Sequence, residues 1–383
     1  MGRLGMASLT WAQVQTWRLS QQYLLNRAEP RALTEVVQRI GGVQAQFMSA
    51  AEWSIGARIE SLRPGDVQNA LWHERTLIKT WAMRGTLHLL AASELPLLVA
   101  ARQAITINRP PSYYTYHGVN PEGLEAIIEA VPNVLSAEPM TRDQMAQAIA
   151  ERAGMPELRD VLLSGWGALL KPSAFRGDIC FGPNQGQNVT FVQPRRWIPT
   201  GAKDGEQPSI DPQSALQEIA RRYLNAYGPV TSDDFSRWWG IQPAPAKRVF
   251  RSLGDELEAV EIEGWKAWAL KATLKQIRSI APAPSVRLLP QFDAFILGIS
   301  RDCEPILPRE YKSRVYRPQG WISAVVLIDG RIEGTWETKL QGSRAVVEVN
   351  LFTMPPAQID QSIQAEAERF RKFLDKQVDL VYT

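Results

Sequence analysis

The sequence predicts an α+β chain, with helix-rich units to about residue 280, strands after that, and a closing helix. Three observations carry this. First, a helix-starting phrase recurs: Pro139-Met140-Thr141-Arg142-Asp143 and Pro229-Val230-Thr231-Ser232-Asp233 stand at corresponding points of two stretches, with Leu33-Thr34 a fainter echo. Second, each stretch runs as two or three helices followed by a hairpin pattern. Third, from residue 285 helical periodicity gives way to short apolar runs broken by turn signals.

The elements follow in order. Residues 10–26 form a helix that Thr10 can cap, with Trp11, Val14, Trp17, Leu24 and Leu25 on one stripe. Thr34 opens a short helix that stops at Gly41-Gly42. Pro64, a favoured first-turn residue, starts a helix to about Glu74. Residues 76–81 and 86–90 are two strands about a turn. Residues 93–102 are a helix, and 108–120, with Pro110, Pro111 and three tyrosines, a loop.

Pro121 begins the next unit. Thr141 and Gln144 make a capping box for a helix to about Ala153, and 158–171 is a further helix. Strands 178–182 and 189–193 flank a hairpin loop. Residues 199–212, rich in Pro, Gly and Asp, are a linker. A third unit has helices at 214–227 and 244–254, a helix start at Thr231 and Asp234 between them, and strands at 258–262 and 266–270. Strands at 286–289, 321–328, 332–338 and 345–352 follow, with Asp329-Gly330 as a two-residue hairpin turn. A helix over 356–375 closes the chain. The expected domains are thus 8–120, 121–200, 212–280 and 285–383. The first three match the winged-helix plan, and the fourth a small antiparallel sheet or β-barrel. Winged helices usually contact DNA, although some are protein-interaction modules, since fold alone does not set function.

Composition limits the alternatives. The 383 residues suffice for several domains, and 45% hydrophobic with 22% charged residues is ordinary for a globular protein. No apolar run is long enough to span a bilayer and no signal pattern opens the chain, so a cytoplasmic location is expected. Cys180 and Cys303 read as structural. His73, His88 and His117 lack ligand-like spacing, so neither metal nor other cofactor is expected. The net charge of +3 neither requires nor excludes nucleic acid. Arginines cluster locally at Arg195-Arg196, Arg221-Arg222 and 248–251, and such stripes can bind phosphate while distant acids balance the total.

One stretch carries candidate chemistry: Gly41-Gly42-Val43-Gln44-Ala45-Gln46-Phe47. The glycine pair ends a helix, since glycine adopts left-handed angles at little cost. Gln44 and Gln46 then sit at i and i+2, which in an extended segment aims both amides one way. Paired neutral amides can hold one water or one sugar, and neither residue is expected to belong to the core. By spacing alone a Gln-x-Gln is most often solvated surface. Asp293, ahead of an apolar run, reads as a structural turn or cap rather than a catalytic acid.

The chain resembles the bacterial winged-helix DNA glycosylases of the AlkZ/YcaQ type. The likeness rests on Gly41 to Gln46, on Trp81-Ala82-Met83-Arg84-Gly85-Thr86-Leu87-His88-Leu89, on Arg222-Tyr223 with Tyr227-Gly228-Pro229, on Leu288-Leu289-Pro290-Gln291-Phe292-Asp293, and on Asp329-Gly330-Arg331 with Gly334-Thr335-Trp336. The AlkZ branch is similar in carrying Gln-x-Gln with an apolar middle residue, here Ala45; the YcaQ branch carries Gln-x-Asp. The resemblance implies three tandem winged helices and a β-barrel arranged as a C around DNA. It implies excision of N7-alkylated purines, bulky adducts and interstrand crosslinks among them, with Gln44 and Gln46 as the catalytic pair. Candidate DNA contacts are Arg84, Thr86, His88, Arg314 and Arg317. For His88 a buried, hydrogen-bonded place between Leu87 and Leu89 is an equal alternative. The expected partner is double-stranded DNA with alkylated bases. No heptad or dimer helix is visible, so a monomer is expected. The competing function is a non-catalytic, regulatory winged-helix DNA-binding protein.

Overall fold

The computed structural model describes residues 7–106, 108–165, 167–199, 210–342, 344–354 and 356–383. Most of the expected 199–212 linker, residues 200–209, lies outside them. The chain divides into two compact units, Met1–Val67 with Ala220–Thr383, and Gln68–Ile219. Residues 8–67 of the first expected domain therefore fall in one unit and 68–120 in the other.

In the first unit Thr10 caps the helix Trp11–Gln21 with a full capping box to Gln13. The strand Ala7–Leu9, absent from the sequence-based expectation, pairs in parallel with Leu257–Ile262, which pairs antiparallel with Trp265–Leu270. Three residues carry too little periodicity to reveal a strand; the pairing partner is some 250 positions away. Helices Ser232–Trp239 and Pro243–Ser252 precede this hairpin, the former with a Thr231–Asp234 capping box and a left-handed Gly240 at its end.

The C-terminal sheet has five strands: Val286–Leu289, Ala324–Ile328, Arg331–Gln341, Arg344–Leu351 and Gln377–Tyr382, in that spatial order. Asp329 and Gly330, with φ of +51° and +81°, make the tight turn their sequence predicts. Two expectations need correction. Among the described residues no pairing joins the first strand to the last, so the sheet is open rather than a closed β-barrel, and it is not wholly antiparallel. Gln377–Tyr382 runs parallel to Arg344–Leu351. The helix Ala357–Leu374 is therefore a crossover that returns the chain to the sheet rather than its final element. It packs on the sheet through Ile363, Ala367, Phe370 and Phe373, in one core with Trp17, Trp53, Phe295 and Val325.

The second unit holds the antiparallel pair Leu77–Trp81 and Leu87–Ala91. Residues 111–117, expected as loop, form the helix Pro111–His117: Pro111 occupies a first-turn position and Gly118 closes it at φ +65°. Helices Pro121–Val134, Arg142–Ala153 and Glu157–Ser164 precede the hairpin Cys180–Gln185 and Asn188–Val192, with Met140–Thr141 added on its far edge. The Thr141–Gln144 capping box is present. The helix expected over 158–171 ends at Ser164, and 3-10 and α turns resume from Ala168. Cys180 and Cys303 are buried and free. No helix among the described residues is long and apolar enough to cross a membrane.

Candidate functional site

The helix Leu33–Arg39 ends at a double glycine with φ of +73° at Gly41 and +96° at Gly42. The break is held from below. Tyr227 donates its hydroxyl to the carbonyl of Ile40 at 2.7 Å. A Cβ on Gly41 would stand 2.7 Å from the Trp238 ring. Both the angle and the close approach therefore require glycine here. The chain leaves extended through Val43–Gln44, with Val43 and Ala45 fully buried.

Gln44 and Gln46 come together side by side. The Gln44 Nε2 donates to the Gln46 Oε1 at 2.6 Å. Gln46 is exposed, whereas Gln44 is only 6% exposed. The expectation that neither amide is core is thus corrected for Gln44. Alternation alone does not reveal which of two equivalent amides faces inward, because both lie on one side of the strand. One amide is buried and holds the other, which faces outward. Gln46 retains an oxygen lone pair and two N–H donors for a water or a sugar.

The helix Met48–Gly56 follows directly and escaped the sequence pattern. It is buried almost all round, so it has no apolar stripe, and Phe47 provides no side-chain cap. Its anchor is a buried charge cluster. Arg58 and Asp293, both 0% exposed, form a two-pronged pair with each contact at 2.8 Å. Ser54 donates its hydroxyl to the same carboxylate at 2.6 Å. Asp293 also caps the short helix Ala294–Gly298, accepting from the Phe295 amide at 2.8 Å. The cap reading of Asp293 is what the geometry shows. Its partner Arg58 was missed: a lone arginine in an apolar stretch, paired 235 positions away, leaves no local signal. Trp53 completes the anchor, donating to the Leu288 carbonyl at 2.8 Å and packing on Phe370 and Phe373.

The candidate DNA contacts are placed as follows. Arg84 lies in the one-turn helix Met83–Gly85 with φ +57°, not on a strand, and is half-buried. Thr86 donates its hydroxyl back to the Met83 carbonyl at 3.1 Å. His88 is 1% exposed. It donates from Nδ1 to the Thr86 carbonyl at 2.9 Å and accepts from the Arg84 guanidinium at Nε2, at 3.3 Å. Of its two readings, the buried, hydrogen-bonded one is the geometry observed, and His88 orients Arg84 rather than facing solvent. Arg314 bonds to Asn350 and lies over the Phe352 ring at 4.8 Å, while Arg317 is exposed.

Burial, with the Arg84 cation beside it, pushes the His88 imidazole from 6.5 down to about 3. The folded pKa is depressed, so the unfolded chain binds the extra proton between those values. This contribution to stability is complete above pH 6.5 and is lost as pH falls towards 3. The expected slope is about 1.4 kcal/mol per pH unit in that window. Denaturant unfolding of His88→Gln against the wild type, from pH 7 to pH 4, measures it. Parallel stability curves for the two proteins would remove His88 from the acid response.

A family model described as DNA glycosylase AlkZ-like matches residues 37–373. The interstrand DNA cross-link repair glycosylase of Streptomyces sahachiroi is 37% identical over 331 residues, 86% of this chain and 88% of that protein. The solved structure of Streptomyces sahachiroi DNA glycosylase AlkZ aligns with a TM-score of 0.85 at 34% identity, covering 98% of this chain and 100% of that one. These matches define the class: a hydrolase acting on N-glycosyl bonds in DNA. The chain belongs to the AlkZ-like DNA glycosylase family. Membership favours the enzyme over the non-catalytic regulator.

Proposed function

We propose that the chain is a monofunctional, monomeric cytoplasmic glycosylase that hydrolyses the N-glycosidic bond of N7-alkylated purines in duplex DNA, bulky adducts and interstrand crosslinks included. The observation that carries this is the exposed Gln46 amide held at 2.6 Å by the buried Gln44. An N7-alkylated purine is already cationic and leaves as a neutral base, so no general acid is required. What remains is to place a water at C1′ and to tolerate positive charge growing on the sugar. Preorganised amide dipoles do both without changing protonation state. The motif has no lysine, so hydrolysis is direct, without a Schiff base.

We also assign the segments 8–120, 121–200 and 212–280 to winged-helix units. The second and third support this by placing three helices before a hairpin. In the third, the helix Pro243–Ser252 exposes Lys247, Arg248 and Arg251, the arrangement of a phosphate-binding face. The related cross-link repair glycosylase supports the crosslink part of the reading.

The test is release of free base from a duplex carrying N7-methylguanine, followed by alkaline cleavage of the abasic product. No base released defeats the reading, and strand breaks without alkali indicate lyase chemistry instead. Duplex binding is expected to be sequence-independent. Raising salt from roughly 50 to 200 mM should weaken it by about 10³-fold if some six phosphates are neutralised. Replacing Lys247, Arg248 and Arg251 by Gln should flatten the salt dependence by about 0.9 in log–log slope for each phosphate that the helix no longer neutralises. An unchanged slope would take this helix out of the DNA interface.

A further inference from the structure

The residue after Gln46 is Phe47, a large apolar side chain left 41% exposed. Its ring lies parallel to Phe292 at 6.0 Å and 9°, and edge-on to Trp321 at 5.3 Å. Phe292 in turn meets Trp321 edge-on at 5.4 Å. Phe292 is buried and holds φ +59°, a left-handed conformation that is costly for a bulky residue. The strain is maintained by its neighbour Asp293, locked to Arg58 and Ser54. Ser54 belongs to the helix that begins one residue after Phe47. An exposed ring is thus mounted from both sides on a rigid, strained support. Trp321 ends a loop closed by the Arg317 amide donating to its carbonyl at 2.9 Å, so an exposed cation sits at the base of the same loop. Phe47 follows Gln46 directly and both side chains are exposed, so the ring borders the candidate amide on the same segment.

We propose that Phe47 is a nucleobase-stacking residue: its exposed face packs on the base flanking the damaged nucleotide and holds that nucleotide against Gln46. This rests on the glycosylase reading of the glutamine pair. An aromatic face suits the task because every base offers a π-face, so the contact is independent of sequence. Inserted apolar side chains also unstack base steps. Phe292 and Trp321 form the backing that stops the ring from folding away.

The experiment uses the full-length protein and a duplex with a tetrahydrofuran abasic analogue, flanked on its 5′ or 3′ side by 2-aminopurine. Wild type and Phe47→Trp are expected to change the fluorescence of one flanking 2-aminopurine, and the responding side identifies the stacked base. Phe47→Ala and Phe47→Leu should give no change. Their affinity for the abasic duplex should fall roughly 10- to 100-fold relative to undamaged duplex, the worth of one base–aromatic stack. Leu keeps the apolar contact to Phe292, so a folding defect confined to Ala is separated from a stacking defect shared by both. If both variants unfold, the wild-type and Trp responses still decide. A silent wild type at both flanks, or Leu matching Phe, overturns the proposal. The two readings fail separately. Base release by wild type with silent 2-aminopurine defeats stacking alone, and a fluorescence response without base release defeats the glutamine mechanism alone.

Discussion

Replacing Gln46 by Ala should lower single-turnover release of N7-methylguanine by roughly 10²-fold or more, the scale of losing one preorganised polar group at a charge-developing transition state. The side chain is exposed, so folding should stay close to wild type. Gln44→Ala should cut the rate similarly, because it removes the 2.6 Å bond that orients Gln46. It should also cost stability, on the order of 1–2 kcal/mol, since Gln44 is buried and hydrogen-bonded. Melting curves therefore distinguish the two: one variant loses rate alone, the other rate and stability. The double variant should be little slower than the weaker single, because groups that position one water act as a unit. Gln46→Asp should keep part of the activity, since a carboxylate oxygen can accept the same bond from Gln44. Near-wild-type release by both single variants would exclude the pair from the mechanism.

Asp293→Ala should produce the largest loss of stability, about 3–5 kcal/mol, because it strands the fully buried Arg58 charge. Ser54 and the Phe295 amide lose their acceptor as well. Denaturant unfolding should show a shifted midpoint with little change in slope. Replacing both partners, Arg58→Met with Asp293→Leu, should recover part of the loss, since removing both charges leaves neither uncompensated. That second result separates a desolvated ion pair from a general packing defect. A single Asp293→Ala variant within about 1 kcal/mol of wild type would show that the pair contributes little.

Local chemistry made much of this protein legible from its sequence. The helix starts at Thr10, Thr141 and Thr231 are written within four residues, so they appear as expected, each with a full capping box. The Asp329-Gly330 turn needs two left-handed residues and announces itself for the same reason. The double glycine before Gln44 and Gln46 likewise marks a helix break and an extended exit, and motif resemblance along most of the chain pointed to the family. What depends on distant partners was not legible. The parallel strands Ala7–Leu9 and Gln377–Tyr382 exist because another strand lies beside them, in one case some 250 positions away in sequence. The helix Met48–Gly56 is buried almost all round and so has no periodic face to read. Identical residue types at i and i+2 carry no sign of which is buried. Packing alone made Gln44 the support and Gln46 the exposed amide. Arg58, Asp293 and Phe292 matter for the same reason. Burial removes the water that would otherwise screen a charge or solvate a ring, and burial is a property of the folded chain rather than of any one segment.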